Sequence, residues 1–96
     1  MLEIDNYEQD GKVFQFVKIP MQKAPFLVLK GGRGYVMCGY LNLEAAEKLG
    51  DIAVRVTGVN TLEDVLGKDV AGVTTMAREV GINPGDRVKD ILEKLA

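Results

Sequence analysis

The sequence predicts an α+β domain: a mixed β-sheet of about six strands with short helices and a C-terminal amphipathic helix. Three observations support this fold class. Strand-like segments fill the first half of the chain, helix and strand signals alternate from Asn42 onward, and the last segment has apolar residues at helical spacing. This order is typical of domains in which helices pack against a sheet that begins with antiparallel hairpins. A length of 96 residues fits one domain, which we assign to residues 1–96.

The N-terminal segments predict a β-hairpin. Residues 13–19 alternate between two faces and are rich in β-branched and aromatic side chains, and residues 2–7 are suited to form the partner strand. Asp10-Gly11, which lies between them, is a dipeptide typical of tight hairpin turns. Pro20 has no backbone N–H for a sheet ladder, so we expect it to end the second strand.

Two further segments predict the centre of the sheet. Residues 26–29 and 35–41 are apolar on both faces, a pattern typical of strands that are covered on both sides. Between them lies a glycine loop, Gly31-Gly32-Arg33-Gly34. Because glycine adopts positive φ at no steric cost, this loop is well suited to reverse the chain.

Capping residues indicate two short helices in the second half of the chain. Asn42 is a suitable N-cap for a helix that ends at Gly50, a residue that readily takes the left-handed terminating conformation. Thr61 begins a segment that resembles a capping box, and the helix after it stops at Gly67. Residues 75–80 predict a further short helix.

The remaining segments predict two strands and the last helix. We expect residues 52–56 and 70–74 to form strands that pair in parallel through a right-handed crossover. Residues 83–86, Asn-Pro-Gly-Asp, are expected to begin the last helix, with proline in its first turn. That helix carries an apolar stripe at positions i, i+3, i+4 and i+7, which must pack on the core: Val88, Ile91, Leu92 and Leu95.

Composition argues against several classes of function. The 12 basic and 14 acidic residues give a net charge of -2 without clusters of Lys and Arg, so we expect no nucleic-acid partner. The absence of histidine removes imidazole ligands and His bases, and a single cysteine forms neither an internal disulfide nor a Cys-only zinc site. We therefore expect no metal and no cofactor. Without a long apolar run or a secretory signal, we expect no membrane partner and a cytoplasmic location.

The glycine loop and the segments after it contain the candidate ligand-binding residues Arg33, Gly34, Asn42 and Asp51. A glycine turn exposes backbone N–H groups, and together with Arg33 it is suited to bind a carboxylate or phosphate. The loop matches neither nucleotide-binding fingerprint, since no Walker lysine is present and the glycines precede a strand. The alternative interpretation is a turn that only reverses the chain, with Asn42 as a helix cap and Asp51 closing a turn.

Cys38 is the candidate catalytic residue. It lies near the C-terminal end of a predicted strand that leads into a helix, where open α/β sheets place their sites. A nucleophilic thiol needs a nearby cation, helix N-terminus or base to hold it as thiolate, and the candidates in the sequence are Arg33, Lys30 and the helix start at Asn42. The alternative is that Cys38 is a small buried apolar residue, which is the common role of free cysteine.

Self-association is expected because a chain of this size buries only a modest fraction of its surface. Arg55 interrupts an otherwise apolar strand. We expect it either to extend to solvent from an exposed face or to pair with an acid across a subunit contact.

Several segments together match the pattern of a known family. They are the continuous run from Ala24-Pro25-Phe26 through Cys38-Gly39-Tyr40-Leu41-Asn42, then residues 45–51, residues 58–64 and residues 77–82. On these segments the chain resembles the YunC-like family of bacterial and archaeal proteins, a domain of unknown function. The resemblance covers about three quarters of the chain and implies a compact α+β domain, but it implies no substrate or catalytic residue. Ile52, Val54 and Arg55 occupy a stretch that the resemblance implies to be richer in alanine.

Three functions follow from these observations as hypotheses. The first is a self-associating module that binds a small polar or anionic ligand near Arg33, Cys38 and Asn42. The second is a thiol-dependent enzyme in which Cys38 is the nucleophile, the glycine loop supplies oxyanion donors and Asp51 orients or polarises. The third is a structural subunit of a larger complex, which would expose a broad apolar surface in isolation.

Overall fold

The computed structural model describes residues 2–96 and shows a mixed six-stranded sheet with helices on both faces. The strands are β1 (Glu3–Gln9), β2 (Lys12–Ile19), β3 (Phe26–Lys30), β4 (Gly34–Met37), β5 (Ile52–Arg55) and β6 (Gly72–Val73). The helices are α1 (Leu43–Leu49), α2 (Leu62–Gly67), α3 (Thr75–Glu79) and α4 (Val88–Ile91), the last followed by a 3-10 turn at Leu92–Lys94. The strands lie side by side in chain order. The predicted α+β class is confirmed. In the described part of the chain, no helix is both long and apolar enough to cross a bilayer.

The predicted N-terminal hairpin is present. β1 and β2 pair antiparallel, from Glu3 opposite Lys18 to Gln9 opposite Lys12. Asp10 and Gly11 have φ of 53° and 79°, so both turn residues are left-handed as a two-residue type I′ turn requires. β2 ends at Ile19, directly before Pro20.

β3 and β4 form the centre of the sheet, as predicted from their apolar faces. The second of these strands is shorter than expected and ends at Met37. The chain then turns over residues 38–41, where the Leu41 N–H donates to the Cys38 carbonyl at 3.2 Å. This turn leads directly into α1, which begins after its N-cap Asn42 and ends at Gly50.

The predicted parallel pairing of residues 52–56 with 70–74 is wrong. The parallel pair is β4 with β5, connected through α1, and β6 runs antiparallel to β5. The cause is the shortness of α2, whose six residues rise only about 9 Å. The segment after α2 is also held elsewhere, because the Val70 N–H donates to the Asp86 carbonyl at 2.7 Å. The chain therefore returns to β5 at the carboxyl end of that strand, and β6 runs antiparallel to it.

The last helix begins at Val88, not at Asn83 as predicted. Residues 83–86 form a tight turn, in which the Asp86 carboxylate accepts the Asn83 N–H at 2.9 Å. Gly85 has a φ of 96°, which interrupts any helix that starts before it. The predicted apolar stripe is nevertheless confirmed, since all four of its residues are buried: Val88, Ile91, Leu92 and Leu95.

Two apolar clusters lie on opposite faces of the sheet. The main core packs Phe14 and Leu29 with the apolar stripe of the C-terminal segment. The smaller cluster, Met37, Ala46 and Ala53, joins α1 to the parallel pair.

The open face is the part of the sheet surface on β1 and β2 that carries the exposed side chains of Ile4, Val13 and Ile19. Its Ile4 and Val17 lie opposite each other on neighbouring strands. The predicted self-association is compatible with this surface and stays a prediction.

Candidate functional site

A cleft of about 520 Å³ lies at the carboxyl ends of the parallel strands β4 and β5. Its walls are residues 23–25, from the loop after β2, and residues 38–40 and 57–60, from the loops after β4 and β5. Open α/β sheets commonly bind ligands at this edge, and the volume falls within the roughly 300–1,000 Å³ typical of small-molecule pockets. We call it the strand-end cleft.

The loops of the strand-end cleft contain backbone donors that are not used within the protein. The N–H groups of Gly39, Tyr40, Gly58 and Val59 have no acceptor among residues 2–96. Neighbouring donors do have partners: the Cys38 N–H reaches the Leu27 carbonyl at 3.3 Å. Because a backbone N–H needs a partner, the four open groups are available to water or to a ligand.

The residues that line the strand-end cleft carry positive charge, and the Asp64 carboxylate beside it accepts the Asn60 N–H at 3.0 Å. Lys23 is the charged residue among the ten that line it, and no carboxylate belongs to that set. A second ammonium lies close by, since a Cβ placed on Gly58 would be 3.5 Å from Lys68 Nζ. An anionic group would therefore be favoured in the cleft over a cationic one.

Cys38 lines the strand-end cleft, but its side chain belongs to the main core. The residue is 4% exposed, and its Sγ accepts the Leu27 N–H at 3.3 Å. The sulfur is thus directed toward β3 and is largely shielded from solvent. This environment favours the interpretation of Cys38 as a small buried apolar residue. Its catalytic role stays a prediction.

The other predicted site residues are divided between the two ends of β4. Arg33, Gly34 and Asp51 line a pocket of about 190 Å³ at the amino end of β4. Cys38 follows the carboxyl end, and a four-residue strand separates the two ends by about 13 Å. The structure therefore brings Arg33, Gly34 and Asp51 together but does not bring them to Cys38.

Arg33, Gly34 and Asn42 each have a structural partner. Arg33 Nη2 donates to the Glu93 carbonyl at 3.3 Å, and the Gly34 N–H donates to the Leu95 carbonyl at 3.1 Å. The Asn42 side chain accepts the Glu44 N–H at 2.8 Å as the N-cap of α1. These contacts match the alternative interpretations of a turn and a helix cap.

Asp51 has a specific partner that the sequence did not indicate. The Tyr35 hydroxyl donates to Asp51 Oδ2 at 2.7 Å. Partial burial raises the pKa of Tyr35 to about 12, and the hydrogen bond to Asp51 and its negative charge act in the same direction. The pair forms because Tyr35 on β4 lies opposite Ala53 on β5, and Asp51 is two residues before Ala53.

We expect Tyr35 to ionise near pH 12 in the folded protein and near pH 10 in the unfolded chain. Since the folded state favours the neutral phenol, the stability gained from this pair is complete below pH 10 and is lost as pH rises through 12. Ultraviolet titration of phenolate absorbance measures this step. The Tyr35→Phe variant should lack it and Asp51→Asn should move it to lower pH. A step near pH 12 that persists in Tyr35→Phe would contradict the assignment.

Sequence reasoning missed most of the strand-end cleft. Lys23, Thr57 and Asn60 line the cleft and were not among the predicted site residues. The missing signal was the parallel pairing of β4 with β5, which places the loops after both strands at one edge.

Fold and site together define a small α+β domain whose two parallel strands end at a cleft, and the loops of that cleft contain unpaired backbone N–H groups. The model of the family described as "Domain of unknown function (DUF1805)" matches residues 37–95, and the chain belongs to this family. The match includes both loops that follow the parallel strands.

Two similar proteins extend the comparison. The chain is 30% identical over 90 residues to "Uncharacterized protein YunC" of Bacillus subtilis (strain 168), a match that spans 90% of this chain and 89% of that one. It is also similar to the crystal structure of "a Protein of Unknown Function TA1206 from Thermoplasma acidophilum". That structure has a TM-score of 0.98 and 51% identity, covering 100% of this chain and 94% of the other. The YunC-like resemblance is confirmed.

Proposed function

We propose that the protein is a binding module for a small anionic ligand, a carboxylate or a phosphate, which occupies the strand-end cleft. The observation that carries this proposal is the set of open N–H groups at Gly39, Tyr40, Gly58 and Val59 around a cleft whose charged lining residue is Lys23. Consecutive amides in loops are common binding sites for oxyanions, and a lysine adds charge without fixing the orientation of the ligand.

Binding is better supported than thiol catalysis. A nucleophilic cysteine needs an exposed sulfur and a group that stabilises its thiolate. Cys38 is buried, and the partner of its Sγ is a main-chain N–H of β3. A single cysteine is compatible with a cytoplasmic location, which we include in the proposal.

Titration with sodium acetate and inorganic phosphate at constant ionic strength tests the proposal. We expect saturable amide chemical-shift changes at Gly39 and Gly58 in two-dimensional NMR spectra with at least one of the two anions. Lys23→Gln should weaken this binding several-fold, because it removes the lining charge. Absence of saturable changes at these amides with both anions would overturn the proposal.

Gly39→Leu tests the location of the binding site more directly than Lys23→Gln. A Cβ on Gly39 would meet nothing within 4 Å, and Gly39 is not among the glycines with positive φ, so the side chain should enter the cleft without disturbing the fold. We expect at least tenfold weaker anion binding. Gly67→Leu is the matched control, since Gly67 has equally open space and lies outside the cleft. Equal binding by both variants would contradict the location of the site.

A further inference from the structure

Arg55 is a partly buried cation on β5 for which the structure shows no anionic partner. Its Nε is buried and makes no hydrogen bond within residues 2–96. Among residues 2–96, the observed ion pair joins Arg87 to Asp69 and does not involve Arg55. A buried donor without an acceptor is rare in folded proteins, and a bound ion or ligand is one of its recognised explanations.

The surroundings of Arg55 leave room for such a ligand. A cavity of about 270 Å³ lies beside it, lined also by Leu43, Thr57, Ala71 and Gly72. The lining set contains no carboxylate. Thr57 lies two residues after Arg55, just beyond the end of β5, and is exposed. Arg55 and the exposed Thr57 therefore line the same small space.

The shape of these donors specifies the class of ligand. The edge of a guanidinium group presents parallel N–H donors that match two oxygens of a carboxylate or phosphate. The cavity is slightly smaller than an ordinary small-molecule pocket, which suits a small oxyanion or one acidic side chain.

We propose that Arg55 and Thr57 form a second oxyanion-binding site, distinct from the strand-end cleft. The oxyanion comes either from solution or from an Asp or Glu side chain of a second copy of this chain. Thr57 also lines the strand-end cleft, so the two sites adjoin, but the Arg55 site does not require a ligand in the cleft.

The Arg55 Nε–H signal in NMR spectra reports on the site directly. We expect a saturable shift of this signal on titration with sodium acetate or inorganic phosphate, and its loss in Arg55→Met. That variant should fold, because it keeps an apolar stem and removes an unpaired charge. Arg78→Met is the control, since Arg78 is exposed on α3. Gly39→Leu should leave the Arg55 response unchanged, which separates failure of this site from failure of the cleft.

Sedimentation distinguishes the two sources of the oxyanion. If the acid belongs to a second copy, the wild-type protein self-associates, and Arg55→Met weakens that association at least tenfold while Arg78→Met does not. If the anion comes from solution, Arg55→Met leaves the oligomeric state unchanged and abolishes the NMR response. The proposal is overturned if the Arg55 signal responds to neither anion and Arg55→Met leaves the association unchanged.

Discussion

Replacing Gly31 by alanine should lower the free energy of unfolding by more than about 3 kcal/mol, a large part of the stability of a small domain. A Cβ at this position would collide with the Leu95 carbonyl oxygen and would lie 2.9 Å from Cε2 of Phe14. The backbone has little freedom to move away, because the Leu95 carbonyl also accepts the N–H groups of Arg33 and Gly34, at 2.9 and 3.1 Å. Urea denaturation followed by circular dichroism measures the loss.

Gly32→Ala is the matched control in the same loop. A Cβ on Gly32 would lie 3.3 Å from the Ala96 carbonyl carbon, a contact that a small shift relieves, so we expect a loss below about 1 kcal/mol. Similar losses in the two variants would show that the close approach of Leu95 does not set the requirement for glycine.

Replacing Leu92 by alanine should cost about 3 kcal/mol, within the range of about 2–5 kcal/mol for truncated core leucines. Leu92 is 0% exposed and packs in the main core, so its removal leaves a cavity there. The midpoint of urea denaturation should fall while the slope of the transition stays the same.

Leu49→Ala provides the comparison for the same change of side chain. Leu49 is 76% exposed at the end of α1, so its truncation should change stability by less than about 0.5 kcal/mol. Equal effects at the two leucines would contradict the position of Leu92 in the core.

Local chemistry made the individual elements predictable. The turn at Asp10-Gly11, the cap at Asn42 and the left-handed Gly50 each depend on a few neighbouring residues, and all three are confirmed. The apolar stripe from Val88 is also confirmed, because its period identifies a buried face without specifying what covers it.

Strand partners were less predictable because they depend on distant parts of the chain. The direction of β6 depends on the length of α2 and on the hydrogen bond of Val70 to Asp86, which no local pattern near residues 70–74 indicates. Hydrophobic alternation identifies a strand but does not specify its neighbour.

Strand pairing also determines which of the candidate site residues lie close together. Arg33 and Cys38 are close in sequence, but the extended β4 between them carries them to opposite ends of the sheet. Cys38 and Gly58 are twenty residues apart in sequence, yet the parallel pair brings both to one cleft. Proximity in sequence was therefore a poor guide to which polar residues share a site.

The order of the strands has a consequence for how the protein folds. Every strand pairs with the one that precedes it in the chain, so the sheet can grow by successive addition from the first hairpin. The first four strands are joined by short loops that close at a small entropic cost, whereas the last two steps close longer segments that contain α1 and α2. Because β5 reaches β4 only through α1, docking of that helix and formation of the strand-end cleft belong to the same folding step.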